Sequence, residues 1–337
     1  MSVPYYHDLL SDQNRIGAFR AAISDAVQPG DTVLEIGTGL GTFALFAARA
    51  GARKVFAVDA DPVIHVAQAI AATNDESERI ECIRGWVPEV DLPAPVDVLI
   101  FEDFGSALLN TQTYRVLKAA TKKYLAPGGR MVPNRATVYV APLTSDELRE
   151  RLFPLDSVPD GYGVDWGPSI DYLKNSPRQE RLPSDALAGD PQRLYSAGFP
   201  ALPEPNDMGG ELAWELKPQT TVHALGLWFD LELRGGGQVT NRPSASTGPW
   251  GQVVFPLHPP VVVDASGTFQ AEVRNDQAAD GAPGWLKWSG RSGSNFTRGH
   301  EFAAAPADLT DLADTEGKVD TEDNAPVTKG TPIALTG

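Results

Sequence analysis

The chain has 337 residues, of which 44 are acidic and 28 are basic, so its formal net charge is −16. This length predicts about two domains, and the acidic balance argues against a nucleic-acid partner because phosphate binding needs clustered Lys and Arg. No apolar run is long enough to cross a membrane, the first residues lack the apolar core of a secretory signal, and Cys82 is the single cysteine. These features predict a cytoplasmic protein without disulfides, and the spacing of the histidines predicts no metal site.

The first 132 residues alternate between helical and strand-like segments. Apolar residues at helical spacing predict helices at 15–27, 43–50, 62–73 and 113–122. Short apolar runs predict strands at 32–36, 54–58, 79–84 and 96–101, and a turn is expected at 127–129. This alternation indicates an α/β fold, a Rossmann-like, doubly wound parallel sheet occupying residues 1–132.

The composition changes after residue 132, where Pro and Gly become frequent. Segments at 136–141, 221–233, 251–255 and 261–263 are typical of strands and predict an antiparallel β domain over 133–306. A polar, Pro-rich excursion at 153–206 interrupts it and contains one predicted short helix at 169–175. Residues 307–337 are acidic and nearly free of aromatics, which predicts a disordered tail.

The sharpest motif is VLEIGTGLGTF at 33–43, where an apolar strand leads into three alternating glycines and then a helix. Glycines allow a tight turn and close approach to a ligand, and the helix start offers unpaired N–H groups. Asp59 ends the next strand, where an acid can accept hydrogen bonds from ribose hydroxyls. The G-x-G-x-G spacing after Glu35 favours S-adenosylmethionine. A nicotinamide cofactor and a turn without a ligand stay open as alternatives.

Two carboxylates, Glu102 and Asp103, follow the apolar run at 96–101. Ligands of open α/β sheets bind outside the carboxyl ends of the strands, so an acid here would face the reactive end of the cofactor. A carboxylate can pair with a guanidinium or ammonium and accept its proton. The alternative interpretation is a solvated strand end.

From residue 5 to 233, and by extension to about 273, the chain resembles the protein arginine methyltransferases. The resemblance rests on blocks in a shared order: VLEIGTGLGTFALFAARAGARKVFAVDAD, RGWVPEVDLPAPVDVLIFEDFG, YLAPGGRMVPNRATVYVAPL, YGVDW with DPQRLYSAGFP, VHALGLWFDLEL and STGPWGQVVFPL. It implies a class I methyltransferase domain followed by a β-barrel-like domain. It also implies a homodimer, formed through a helical arm near 153–206.

The resemblance also implies roles for single residues. Arg15 would pair with the cofactor's carboxylate, and Glu102 would hold the substrate nitrogen as the first acid of the family's double-E loop. Asp12 and Trp250 match positions near the substrate. The implied cofactor-binding residues are Arg15, Glu35, Gly37, Gly39, Gly41, Asp59, Ala60 and Val87.

Three positions depart from the family pattern. Thr111 stands where the second acid of the double-E loop is expected, and Pro88 replaces an acid that contacts adenine. Gly248-Pro249-Trp250 replaces the Thr-His-Trp loop, so the histidine partner of Asp12 is missing. Asp103 is the candidate substitute for the lost acid. However, successive residues of a strand face opposite sides, so its side chain is expected to point away from Glu102.

We therefore predict an S-adenosylmethionine-dependent methyltransferase that acts by direct in-line displacement on a nitrogen, with guanidine as one candidate. The acceptor is a peptide, protein or small molecule. A catalytically silent, cofactor-binding dimer that acts as an interaction protein is the first alternative. A nicotinamide-dependent oxidoreductase is the second.

Overall fold

A computed structural model describes residues 3–105, 108, 110–154, 162–244, 250–278, 281 and 283–300. The tail predicted at 307–337 and the Gly248-Pro249 pair lie outside the described residues. Residues 155–161 of the predicted arm also lie outside them.

Five parallel strands form the first sheet, in the order β3-β2-β1-β4-β5. They are β1 Thr32–Ile36, β2 Lys54–Asp59, β3 Ile80–Arg84, β4 Val96–Phe101 and β5 Leu125–Val132. Because β1 pairs with both β2 and β4, the chain reverses its direction of winding beside β1. This reversal opens a crevice at the carboxyl ends of β1 and β4, which positions a ligand site there.

Five helices accompany this sheet: α1 Val3–Ser11, α2 Gln13–Ala26, α3 Thr42–Arg49, α4 Ile64–Thr73 and α5 Thr111–Tyr124. The sequence analysis missed α1. The turn expected at 127–129 lies within β5, where the register against β4 shifts and Gly128 has a φ of 78°. An irregular strand therefore replaces the expected turn, because residues on both sides of Gly128 continue to pair with β4.

Antiparallel strands form two further sheets, one ordered β7-β12-β10-β6-β8 with β11 on β10, the other β15-β14-β13-β9. The strands are β6 Arg135–Leu143, β7 Arg178–Glu180, β8 Gln192–Gly198, β9 Gly210–Glu215, β10 Thr221–Glu232, β11 Gln238–Thr240, β12 Gln252–Val262, β13 Thr268–Gln277, β14 Pro283–Ser292 and β15 Asn295–His300. Two short helices are α6 Asp146–Leu152 and α7 Gly167–Lys174. The α/β class with a following antiparallel β part is confirmed.

The long central strand β10 organises the antiparallel part. Its residues from Val222 to Phe229 are all buried, and β6 and β12 pair with its two edges. The segments predicted as separate strands at 251–255 and 261–263 form one strand, β12, which bends at a register shift against β10. The two antiparallel sheets meet where Trp288 packs against Phe255, with ring centroids 5.1 Å apart.

Candidate active site

A cleft of about 650 Å³ opens at the carboxyl ends of β1, β2 and β4. This volume suits a ligand of nucleoside size. Its wall combines predicted site residues with several that the sequence analysis did not single out. The residues that line the cleft include Tyr6, Gly37, Asp59, Ala60, Gly85, Trp86, Val87, Glu102, Asp103, Asn110, Gln112, Thr113, Val116 and Trp250.

The glycine turn borders the cleft through Gly37, while Gly39 lines the smaller cavity beside it and Gly41 lines neither. Gly37, Gly39 and Gly41 have φ values of 73°, 53° and 77°, which other residues rarely adopt. A Cβ at Gly39 would lie 2.6 Å from the ring of Tyr6, so α1 packs directly on the turn. Tyr6 also packs with Leu40 and fixes α1 over the glycines.

Asp59 shapes this turn from the end of β2. Its Oδ2 accepts a hydrogen bond of 2.8 Å from the Gly39 amide, and its Oδ1 accepts one of 2.9 Å from the Asp61 amide. Each carboxylate oxygen keeps a further lone pair for a ligand hydroxyl. Asp59 and Ala60 both line the cleft, as the sequence predicts for cofactor-binding residues.

Glu35 lies beneath the glycine turn and is 3% exposed. The hydroxyl of Thr38 donates a 2.5 Å hydrogen bond to its Oε2. Burial raises the pKa of Glu35 to about 8, so the carboxyl is largely protonated at neutral pH. Glu35 lines a smaller cavity beside the main cleft, and its hydrogen bond stabilises the turn from below.

Arg15 and Glu102 form a buried ion pair at one end of the cleft. Arg15 Nη1 lies 2.8 Å from Glu102 Oε2, and Arg15 Nη2 donates a 2.8 Å hydrogen bond to the Leu9 carbonyl. The guanidinium carbon lies 5.9 Å from the ring centroids of both Phe43 and Trp250. Arg15 Nε is buried and makes no hydrogen bond within the described part of the chain.

Burial raises the pKa of Glu102 to about 7, although Arg15 acts against this rise. The Glu102 side chain keeps 17% of its surface exposed, and that surface faces the cleft. A carboxyl that titrates near neutral pH is suited to hold a cation or accept a proton.

Asp103 also lines the cleft, as Glu102 does. The regular alternation of strand residues does not apply here because β4 ends at Phe101. Asp103 packs against the glycine turn, and a Cβ at Gly37 would lie 3.3 Å from its Cβ. Burial and the nearby Asp59 raise its pKa.

Asp12 caps α2, and its Oδ1 accepts a 3.0 Å hydrogen bond from the Arg15 amide. It does not line either cavity among the described residues, unlike the other predicted substrate residues. Its local effect is therefore to fix the start of the helix that carries Arg15. An N-cap of this kind stabilises a helix by about 1 kcal/mol.

Thr111, at the position of the missing acid, begins α5. Its hydroxyl donates a 3.3 Å hydrogen bond to the Gly284 carbonyl of β14 and does not line the cleft. Its neighbours Asn110, Gln112, Thr113 and Val116 do, although the sequence analysis missed them. The position of α5 directly after β4 was the available indication, because helices that follow central strands border the ligand crevice.

Trp250 forms part of the cleft wall from the antiparallel part of the chain. It is 9% exposed and packs against Phe229, with ring centroids 5.5 Å apart. The buried Asn241 accepts a 2.7 Å hydrogen bond from the Phe229 amide and donates one to the Gly251 carbonyl. These bonds hold the residue after Trp250 beside β10, and so fix the indole near Arg15.

The described residues contain no cluster of His, Cys, Asp and Glu suited to a metal ion. Among the same residues, no helix has the length and apolar character needed to cross a membrane.

Comparisons with known proteins agree with the geometry. The family model for ribosomal protein L11 methyltransferase (PrmA) matches residues 20–122. Protein arginine N-methyltransferase 6 of Danio rerio is 27% identical over 284 residues, which cover 80% of this chain and 81% of that protein. Protein arginine N-methyltransferase PRMT10 of Oryza sativa subsp. japonica is 30% identical over 303 residues, which cover 77% of each chain.

A solved structure, the PRMT1 enzyme-prozyme heterotetrameric complex of Trypanosoma brucei with AdoHcy, superposes with a TM-score of 0.76 at 24% identity. The match covers 88% of this chain and 97% of that one, and it shows a shared fold. Together with the extent of the sequence similarity, it establishes that this chain belongs to the protein arginine N-methyltransferase family.

Proposed function

We propose that this chain transfers the methyl group of S-adenosylmethionine to a guanidine nitrogen of a peptide or protein acceptor. The observation that carries the proposal is Glu102, a carboxyl with a pKa near neutral that faces the cleft beside the glycine turn. Family membership supports both the methyl donor and an arginine-like acceptor.

The described residues fit the proposed donor. Gly37 lines the cleft with a φ of 73° and no side chain to obstruct a ligand, and Asp59 faces the cleft with oxygens suited to ribose hydroxyls. Arg15 is a buried cation with an unsatisfied Nε, which suits a ligand carboxylate. Glu35 supports the turn, and Val87 contributes an apolar surface for the base.

When bound, S-adenosylmethionine supplies a methyl group on a positively charged sulfur that departs as a neutral thioether. Glu102 orients the acceptor nitrogen so that its lone pair forms the new bond to carbon as the carbon–sulfur bond breaks. Glu102 then accepts the proton that the methylated nitrogen releases, directly or through water. Such catalysis depends mainly on positioning.

The acceptor end carries fewer fixed negative charges than a pair of glutamates would provide. Thr111 contributes no charge, and Glu102 is partly neutralised by Arg15. Asp103 lines the same cleft, and we propose it as the second carboxylate near the acceptor, with Trp250 as an apolar wall. Asp12 acts through the helix cap that positions Arg15.

Incubation with methyl-labelled S-adenosylmethionine and arginine-containing peptides tests the proposal. Labelled peptide is expected with the wild type and is lost in Glu102→Gln, while S-adenosylhomocysteine still binds both proteins in calorimetry. Tight binding without transfer to any peptide, guanidino compound or lysate protein would favour the silent dimer instead. Binding of NADH alone would contradict the proposal.

We further propose a homodimer formed through the segment that leads into α7. Tyr162, Val164, Trp166 and Tyr172 are 80%, 51%, 41% and 55% exposed, and α7 buries none of its residues. Large apolar side chains exposed together are typical of an interaction surface. Light scattering coupled to size exclusion should give a dimer mass, and a monomer at micromolar concentration would contradict it.

We also propose that the protein works in the cytoplasm and binds no nucleic acid. The free thiol of Cys82 fits a reducing compartment, and the net charge of −16 opposes contact with phosphates. Cell fractionation and a filter-binding assay with RNA check the two statements.

A further inference from the structure

Trp86 is a large apolar side chain that the folded chain leaves exposed at the ligand cleft. It is 60% exposed, although most tryptophans of a folded protein are well covered. It lines the cleft together with its neighbours Gly85 and Val87. An indole in this position offers an aromatic face to a ligand in the cleft.

The backbone that carries Trp86 is held firmly. Its carbonyl accepts hydrogen bonds of 2.7 Å from the Glu89 amide and 3.1 Å from the Val90 amide. Lys123 Nζ donates to the carbonyls of Pro88 and Val90 at 2.8 and 2.9 Å. The exposure of the indole therefore does not come from a loosely attached loop.

Residues from the first turns of α5 line the same cleft. Thr113 and Val116 contribute to its lining together with Val87. Asn110 and Gln112 add neutral amides to the lining. Pro88 offers neither a side-chain acceptor nor an N–H, so it cannot bind a nucleobase by a directional side-chain contact.

We propose that Trp86 stacks on the adenine base of the methyl donor, in the cleft that Val87, Thr113 and Val116 also line. Stacking replaces the carboxylate contact that Pro88 cannot make, and it holds a base through its π-face without reading its edge. This inference rests on the proposed use of S-adenosylmethionine and assigns a further donor-binding residue to the same site.

Calorimetric titration with S-adenosylhomocysteine tests the assignment. Loss of base–aromatic stacking in Trp86→Ala should weaken binding about tenfold to hundredfold. Trp86→Phe keeps a stacking ring and should stay within about threefold of the wild type. Phe296→Ala is the matched control, because Phe296 is 56% exposed and does not line the cleft.

Two further readouts separate stacking from a general structural effect. Adenosine contains the base but not the amino-acid part, and Trp86→Ala should weaken it by the same factor. The fall in tryptophan emission on saturation with S-adenosylhomocysteine should be smaller in Trp86→Phe than in Phe296→Ala. Thermal melts are expected to stay unchanged, since Trp86 is exposed.

The outcomes of these experiments separate the role of Trp86 from the proposed donor and from the proposed function. Affinity for S-adenosylhomocysteine within twofold of the wild type in Trp86→Ala, or equal emission changes in Trp86→Phe and Phe296→Ala, overturns the role of Trp86 alone. Absence of any S-adenosylhomocysteine binding by the wild type overturns both this role and the proposed donor. Binding of S-adenosylhomocysteine by the wild type without methyl transfer to any acceptor contradicts the proposed function and leaves the Trp86 assignment supported.

Discussion

Arg15 Nη1 and Glu102 Oε2 lie 2.8 Å apart, and Arg15 lowers the pKa of Glu102 against the effect of burial. Because the pKa of Glu102 is about 7, the rate constant kcat at saturating donor should rise with pH through neutrality as the carboxylate forms. Arg15→Gln removes the cation that lowers this pKa and should move the rise to higher pH. A pH–rate profile measures both, and an unmoved profile in Arg15→Gln would exclude Glu102 as the titrating group.

Thr111 marks the missing second acid, and restoring it should increase activity on peptide arginine. A hydrogen bond to a charged group contributes about 1.5–3 kcal/mol, so Thr111→Glu should raise kcat/KM about tenfold or more. Thr111→Gln is the control of similar size without the charge. Equal values for the two variants would show that a carboxylate at this position cannot reach the acceptor from the start of α5.

Glu35 makes stability depend on pH. Its pKa is raised from 4.5 to about 8 in the folded protein, so its stabilising contribution is complete below about pH 4.5 and is lost as the pH rises through 8. Glu35→Gln keeps an acceptor for the Thr38 hydroxyl and cannot ionise. The difference in Tm, wild type minus variant, should therefore fall between pH 5 and pH 9, and a constant difference would contradict the raised pKa.

At the scale of elements, we expect the contact between α1 and the glycine turn to affect donor binding. Gly39→Ala would bring a Cβ within 2.6 Å of the Tyr6 ring, at a φ of 53°. We expect at least a tenfold loss of affinity for S-adenosylhomocysteine, because the added Cβ would displace Tyr6 and the helix α1 that carries it.

Gly30→Ala is the control for that substitution. Gly30 also has a positive φ, of 93°, but a Cβ there meets nothing within 4 Å. It should lower Tm through backbone strain and leave affinity for the donor unchanged. Equal losses of affinity in both variants would show that backbone strain, and not the crowding of Tyr6, is the cause.

The sequence predicts the parallel sheet well because its strands are short, apolar and separated by regular helices. The strand predicted at 32–36 coincides with β1, and the one at 96–101 coincides with β4. The edge strands β7 and β8 were missed inside the segment at 153–206, because they are polar and half-exposed and show no clear alternation. The helix expected at 169–175 is present as α7.

The candidate site is predictable where a motif is local and not where it depends on packing. The glycine turn and Asp59 follow from one stretch of sequence, and the structure brings Gly37 and Asp59 to the same cleft. The pairing of Arg15 with Glu102 joins residues 87 positions apart and has no local pattern. Likewise, no local pattern indicates that Trp86 stays exposed, because its exposure depends on the packing of the folded chain.

At the scale of the whole molecule, the net charge should favour cationic acceptors. The segment from Asp308 to Lys329 holds seven acidic residues and two lysines, a net charge of −5 of the total −16, which leaves −11 elsewhere. Because salt screens such a field, kcat/KM for an Arg-rich peptide should fall several-fold between about 0.01 and 0.15 M ionic strength. An uncharged acceptor analogue should show no such change, and equal salt dependence of both would contradict electrostatic attraction.

The position of Arg15 has a thermodynamic consequence for the two ligands. One guanidinium contacts the acceptor-binding acid and, in the proposed complex, the carboxylate of the donor. A donor that draws Arg15 away from Glu102 raises the pKa of that acid, and the carboxylate that forms above this pKa is unpaired and would hold a cationic acceptor more strongly. Linkage requires the reverse effect to be equal, so a bound acceptor must tighten the donor by the same factor. Donor and acceptor are thus each other's effectors through a single side chain, without any movement between distant parts of the protein.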